Sequence, residues 1–322
     1  MLSNGKLKMK RPSNISKNST IVITGGTGLV GRALTNALAK EGFENILSIG
    51  SKDCDLRDSA AVAAYMKNAK PDYVFHMAAR VHGLGGNTLY KSDVLVENVL
   101  INTNVIEQAR KNGVKKIVAM GSGCVYPQLT DEELFEDQMW DGPPHPSEDS
   151  YAHSKRLMMA QLSAAKEQYG LSSVFAISGN LYGPGDNFNI EEGHVTPSLI
   201  SKFHKAKMDG TAVSVWGSGV AIRDFSHCDD TADALIALFY NLEGAVNLGS
   251  GMRHPIGDIV KTLQEITGVD VEWDASKPDG QLVRFYNLDR LMSTGFTPKV
   301  SLHDGVKRTY DWYAENYKTA RR

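Results

Sequence analysis

Two short stretches of the chain carry side chains able to move protons. In Gly121-Ser-Gly-Cys-Val-Tyr-Pro127 the hydroxyl of Ser122 and the thiol of Cys124 stand two positions apart. In Tyr151-Ala-His-Ser-Lys155 a phenol and an ammonium are four positions apart, which stacks them on one face of a helix. A free phenol titrates near ~10, too high for acid–base work at neutral pH unless its anion is stabilised. An ammonium one turn away favours that anion, and the spacing predicts a phenol pKa lowered by about 1–3 units. Ser122 and Tyr151 then make a pair of donors to a carbonyl oxygen, with Lys155 holding the phenol. Two readings of Cys124 stand open: a small core residue, the ordinary fate of a buried cysteine, or an acid–base group. His194, in Glu191-Glu-Gly-His-Val-Thr-Pro197, is open in the same way between a capping or loop histidine and a proton carrier.

The elements that must position these groups follow from apolar periodicity. Ile21-Val22-Ile23, Ile46 to Ile49, Tyr73 to Met77, Ile117 to Met120 and Ser173 to Ile177 read as short strands. Helical spacing falls between them, over Leu29 to Leu38, Ala60 to Lys67, Leu95 to Lys111 and Tyr151 to Tyr169. Continuous apolar strands alternating with helices mean a parallel sheet covered on both faces. The expected fold is α/β, a doubly wound parallel sheet of Rossmann type with a smaller C-terminal substrate-binding lobe. The expected division is a disordered basic tail over 1–19, a dinucleotide-binding domain over 20–180 and mainly a substrate lobe over 181–322. Some segments of that last part are expected to return to the dinucleotide-binding domain.

The first strand runs into Thr24-Gly-Gly-Thr-Gly-Leu-Val-Gly31, with Gly25, Gly28 and Gly31 three apart. Between an apolar strand and an amphipathic helix, such glycines let the backbone approach a pyrophosphate at the helix N-terminus. Leu29 and Val30 belong to the same cradle. The second strand leads to Gly50-Ser-Lys-Asp53, where Ser51 and Lys52 offer a hydroxyl and a cation to a ribose 2′-phosphate. That favours NADP over NAD. Asp53 beside them pulls the other way, since a carboxylate there holds a free 2′-hydroxyl, and Lys52 also reads as a solvated loop lysine.

Composition excludes several other classes. A net charge of −2 over 322 residues gives no reason to expect nucleic acid or an anionic membrane as partner. The three cysteines form no Cys-x-x-Cys pair, so neither a disulfide framework nor a metal site is expected, and a reducing, cytoplasmic setting is. No apolar run is long enough to span a bilayer, and the basic first 19 residues lack the apolar centre of a signal peptide. Neither a Gly-x-Ser-x-Gly hydrolase motif nor a phosphate-binding P-loop occurs.

Taken together, the glycine loop, His76-Met-Ala-Ala79, Glu97-Asn-Val-Leu-Ile-Asn-Thr-Asn-Val-Ile106, Ser122, Tyr151-x-x-x-Lys155, Asn180-Leu-Tyr-Gly-Pro-Gly185 and Arg223-Asp-Phe-Ser-His-Cys-Asp-Asp230 resemble the extended short-chain dehydrogenase/reductases from Thr20 to near the C-terminus. Longer stretches narrow the likeness: GPPHPSEDSYAHSKR, DNFNIEEGHVTPSLISKFHKAK, VWGSG and DASKPDG. They are similar to the branch that epimerises carbons 3 and 5 and reduces carbon 4 of GDP-4-keto-6-deoxy-mannose with NADPH. This resemblance implies that Cys124 and His194 form the epimerising pair beside Ser122, Tyr151 and Lys155. It implies cofactor contacts at Asp55, Leu56, Ala78, Ala79, Asn98, Asn180, Leu181 and His194, besides Tyr151 and Lys155. Substrate contacts are implied at Lys202, Trp216, Arg223 and Asp279, and the expected assembly is a homodimer paired through helices beside the tyrosine.

The chain departs from the family at three places. Gly123 stands where Ser or Thr is usual, His82 interrupts the glycine run of Ala79-Arg-Val-His-Gly-Leu-Gly-Gly-Asn87, and Ser178-Gly179 replaces Pro-Thr. A related nucleotide-linked 4-keto sugar, reduction without epimerisation, and a non-catalytic NADP-binding sensor are the competing readings. A dehydratase is disfavoured, because no carboxylate follows Ser122 in Ser-Gly-Cys-Val.

Overall fold

Runs such as Ile21-Val22-Ile23 can be apolar on both faces of a strand only if both faces are covered. In the computed structural model, which describes residues 15–127, 133–191, 193–277 and 282–322, all three side chains are wholly buried. Each such side chain removed from water contributes about 1.5–3 kcal/mol. The strands are β1 (Thr20–Thr24), β2 (Asn45–Ile49), β3 (Tyr73–His76), β4 (Lys116–Met120), β5 (Ser172–Ser178), β6 (Asn180–Tyr182), β7 (Val213–Trp216), β8 (Ile222–Arg223), β9 (Phe225–His227), β10 (Gly244–Leu248), β11 (His254–Pro255), β12 (Val271–Asp274) and β13 (Val283–Arg284). The helices are α1 (Leu29–Lys40), α2 (Ser59–Ala69), α3 (Leu84–Leu89), α4 (Lys91–Lys111), α5 (Asp149–Tyr169), α6 (Val195–Asp209), α7 (Cys228–Asn241), α8 (Ile256–Thr267), α9 (Asp289–Met292) and α10 (Leu302–Asn316).

Six strands form one parallel sheet in the order β10-β5-β4-β3-β1-β2. Helices α1 and α7 cover one face, and α2, α4 and α5 the other, each over its own apolar core. The chain leaves β1 in one direction to β2 and returns on its other side to β3, so a crevice opens beyond the C-terminal ends of β1 and β3. Ligands of open α/β sheets bind at this reversal point.

Helices α6, α8 and α10 enclose a third core around Phe203, Leu263 and Tyr313. The short pairs β12-β7 and β6-β9 contribute side chains to it, and a further short sheet runs β11-β8-β13. Strand β10 and helix α7 come from beyond residue 181 yet belong to the main sheet layer. Residues 1–14 of the expected tail lie outside the described residues. Residues 15–19 are docked: Ile15 packs on the first core, and the Lys17 ammonium donates to the Tyr240 hydroxyl at 3.1 Å and sits 4.1 Å from the Phe43 ring centroid. The glycine-rich stretch after Val81 reads as a loop from sequence but contains α3. Among the described residues no helix is long and apolar enough to cross a membrane.

Candidate active site

The crevice is a cavity of about 670 Å³. At its floor Gly25 has φ +68°, and a Cβ there would come within 2.8 Å of the Ala78 backbone. A Cβ on Gly31 would lie 2.3 Å from the Gly25 carbonyl oxygen. Helix α1 begins after Gly28 with no side-chain cap, so its first N–H groups at the cavity wall are left for a ligand. Bare backbone at a helix N-terminus fits a dinucleotide's pyrophosphate. Gly28, Leu29, Val30, Ala78, Ala79, Asn180 and Leu181 also line the cavity.

The end beyond β2 is lined by Ser51, Asp55, Leu56 and Arg57. Asp53 is turned into its own loop, its carboxylate accepting from the Gly50 N–H at 2.8 Å, and so is not offered to a ribose. Lys52 is exposed and is not part of the wall. The cation on the wall is Arg57, held by Asp55 at 2.9 Å and by Glu97 at 3.4 Å. Sequence reading missed it by looking only at the strand end. Asn98 also differs from its expected cofactor contact. It is fully buried behind the wall, where its amide donates to the Arg80 and Val94 carbonyls and its oxygen accepts from the Arg80 N–H. It shapes the loop that carries His82, and the His82 imidazole accepts from the Arg80 guanidinium at 3.2 Å.

Ser122, Cys124, Tyr151, Lys155 and His194 all line this cavity. Ser122 follows β4 and caps a short turn over Gly123–Val125, its hydroxyl oxygen accepting from the Cys124 N–H at 3.4 Å. Burial, reinforced by the Glu148 carboxylate, pushes the Cys124 thiol up to about 12, so it is a protonated donor at neutral pH. Lys155 donates to the Met120 carbonyl at 2.8 Å, which ties α5 to the end of β4. Burial lowers the pKa of its ammonium to about 8.

The phenol of Tyr151 departs from expectation. Its pKa is raised, first by burial and then by Cys124 and Glu148. The lysine lies on the expected face, 5.5 Å from the ring centroid, but excluding water disfavours the phenolate more than this ammonium favours it. Tyr151 is therefore poised as an acid. His194 precedes α6 at the capping position, yet its side chain makes no capping hydrogen bond. The imidazole is open to the cavity, while the surrounding walls desolvate it and hold its pKa below the ordinary value. It is a neutral acceptor.

Three further wall residues escaped the sequence reading: Glu148, Arg284 and Tyr286. Glu148 precedes α5 and lies 3.6 Å from the Arg284 guanidinium. On paired strands β8 and β13, Arg223 is the register partner of Arg284. Burial and then the Arg284 charge lower the pKa of Arg223. Two arginines on paired positions with one nearby carboxylate, paired to Arg284, leave a positive excess suited to a diphosphate. Lys202 and Trp216 meet each other, ammonium to ring centroid 5.0 Å, but neither they nor Arg223 reach the cavity wall. Asp279 lies outside the described residues.

Glycine cradle, helix dipole and a Ser–Tyr–Lys set at one sheet edge define a dinucleotide-dependent oxidoreductase that works on a carbonyl group. Residues 21–249 match the NAD dependent epimerase/dehydratase family. GDP-L-fucose synthase 1 of Arabidopsis thaliana is 38% identical over 305 residues, covering 93% of this chain and 94% of its own. GDP-L-fucose synthase of Escherichia coli (strain K12) is 32% identical over 310 residues, covering 92% and 97%. The crystal structure of a GDP-L-fucose synthetase from Naegleria fowleri bound to NADP superposes with a TM-score of 0.90 at 33% identity, over 97% of each chain. The chain belongs to the NAD dependent epimerase/dehydratase family and, within it, to the GDP-L-fucose synthases.

Proposed function

We propose that the protein converts GDP-4-keto-6-deoxy-D-mannose to GDP-L-fucose, inverting carbons 3 and 5 and then reducing carbon 4 with NADPH. The observation that carries this reading is a thiol donor and an imidazole acceptor, Cys124 and His194, on the same cavity wall as Ser122, Tyr151 and Lys155. A ketone at carbon 4 acidifies the hydrogens on carbons 3 and 5, because the resulting carbanion delocalises onto the carbonyl oxygen. The hydroxyls of Ser122 and Tyr151 donate to that oxygen and stabilise the enolate. Neutral His194 takes a proton from one face, and the Cys124 thiol returns one to the other. Both groups exchange back to imidazole and thiol before the second carbon reacts.

When bound on the glycine cradle and against Ser51, Asp55, Leu56 and Arg57, NADPH supplies the hydride for carbon 4. Tyr151 gives its proton to the carbon 4 oxygen, and the Lys155 ammonium offsets the charge left on the phenolate. Residues 20–180 hold the cofactor, and 181–322 mainly hold the GDP-sugar through Arg223, Lys202, Trp216 and Asp279. The protein acts in the cytoplasm as a homodimer, a reading supported by three free cysteines and by Val96, Leu100 and Leu157 exposed on adjacent helices α4 and α5.

The test is turnover of GDP-4-keto-6-deoxy-D-mannose in deuterated water, with NMR of the product. Deuterium at carbons 3 and 5 of GDP-L-fucose, with the exchange slowed about a hundredfold or more in Cys124→Ser, is expected. Reduction without deuterium would leave a plain 4-reductase.

A further inference from the structure

Neither Gly123 nor Gly179 adopts a positive φ, so the backbone does not call for glycine at either place. Both are glycine because of one ring. A Cβ on Gly123 would lie 2.0 Å from the Tyr286 hydroxyl oxygen and 2.8 Å from its Cζ. A Cβ on Gly179 would lie 2.9 Å from Cε2 of the same ring. Real Cβ atoms do not approach other atoms so closely, and the ring, packed in the second core with its centroid 5.9 Å from that of Tyr126, has little room to step aside. Its backbone is bridged to Leu134, whose N–H donates to the Phe285 carbonyl at 3.1 Å and whose carbonyl accepts from the Asn287 N–H at 2.9 Å. Two of the three family departures are thus one adaptation, the room made for a phenol.

That phenol lines the cavity at its chemical end. Its hydroxyl rests against the backbone joining Ser122 to Cys124, and only 5% of the residue is exposed. Among the described residues this hydroxyl has no hydrogen-bond partner. A polar group on a cavity wall without a protein partner is left to water or a ligand there. Burial pushes its pKa up to about 12, against the opposing influence of Arg284, so it stays a donor through the neutral range.

We infer that Tyr286 is a specificity-determining substrate contact, its hydroxyl hydrogen-bonding an oxygen substituent of the sugar ring on the Cys124 side of the cavity. This rests on the nucleotide-sugar reading above. It assigns to the segment just after β13 a share in choosing the sugar that the Ser–Gly–Cys turn alone would not have.

Calorimetric titration of the NADP-loaded protein with GDP-L-fucose and with GDP, for wild type and Tyr286→Phe, tests it. Phenylalanine keeps the ring between the two glycines and removes only the hydroxyl. GDP-L-fucose should bind about tenfold more weakly to the variant, with GDP affinity unchanged. Equal GDP-L-fucose affinity in both proteins would overturn the contact, and equal weakening for both ligands would reduce Tyr286 to a structural role. A wild-type protein that binds neither ligand would sink the functional reading itself, and this contact with it.

Discussion

The two ends of the substrate site are built on opposite terms. At the chemical end, Cys124 and Lys155 are buried; the Cys124 N–H donates to the Ser122 hydroxyl just after β4, and the Lys155 ammonium donates to the Met120 carbonyl at the end of β4. At the proposed nucleotide end, Lys202, Trp216 and Arg223 stand on α6, β7 and β8, and Trp216 is 64% exposed. The first region is the more desolvated and carries the larger shifts, at Cys124 and Tyr151. The second is only partly desolvated, with the Arg223 and Lys202 pKa values lowered by burial while the Trp216 face stays open until a ligand covers it. Desolvation suits proton transfer, where a group must be neutral when it meets the substrate. Exposure suits capture, where the gain comes from covering a flat aromatic face and pairing phosphate charge. The contrast implies that changes at the first end act on rate and changes at the second on affinity.

The largest expected effect is at Tyr151. Tyr151→Phe keeps the ring but removes the proton donor, and kcat for NADPH oxidation with the 4-keto sugar should fall about a hundred- to ten-thousandfold. The KM for NADPH should hardly move. A loss confined to KM would break the contrast at its stronger half.

A smaller effect is expected with pH. The folded Lys155 has its pKa lowered to about 8, so its charge, and the support it lends the phenolate, is lost above that pH. The rate should drop up to about tenfold per pH unit beyond it. Stability moves the other way. Below its folded pKa the lysine must be held charged in a dry site, and between about 8 and its ordinary value near 10.5 the unfolded chain binds the extra proton, so stability rises with pH there. On the acid side, His194 stays neutral to a lower pH than a free imidazole, and the rate of deuterium exchange should hold until below the ordinary histidine range. Exchange that already fades above that range would contradict a desolvated His194.

The chemical end was also the legible end. The apolar strand at Ile21–Ile23, the glycines at 25, 28 and 31 and the Tyr151–Lys155 spacing are local patterns, and local patterns fix which residues share a strand end or a helix face. Glu148, Arg284 and Tyr286 were not legible. Arg284 and Tyr286 reach the cavity only because β13 pairs with β8 and Leu134 bridges Tyr286, contacts between distant parts of the chain that no window of sequence contains. The sign of the Tyr151 shift was misread for a related reason. Spacing shows the ammonium four residues away but not the exclusion of water by everything else. Gly123 and Gly179 read as unexplained departures until the ring between them was in view. Asp53 looked like an NAD signal because its turn, closed on the Gly50 N–H, lies below the resolution of motif reading.

The smallest predicted effect sharpens the contrast from its weaker side. Trp216 has two ammonium groups near its ring, Lys202 at 5.0 Å and Lys277 at 5.5 Å from the centroid. Cations beside an exposed aromatic face make a surface that takes a flat ring and its phosphates together. Trp216→Ala removes the face and leaves both charges, so affinity for GDP and for the GDP-sugar should fall alike, by about tenfold. At saturating substrate kcat should stay within about twofold of wild type, since no group at the sheet edge has moved. Titration with GDP beside steady-state kinetics separates the two quantities. If kcat fell with affinity intact, the nucleotide end would be setting the geometry of the chemical end, and the division between a dry reacting edge and a wet capturing surface would fail.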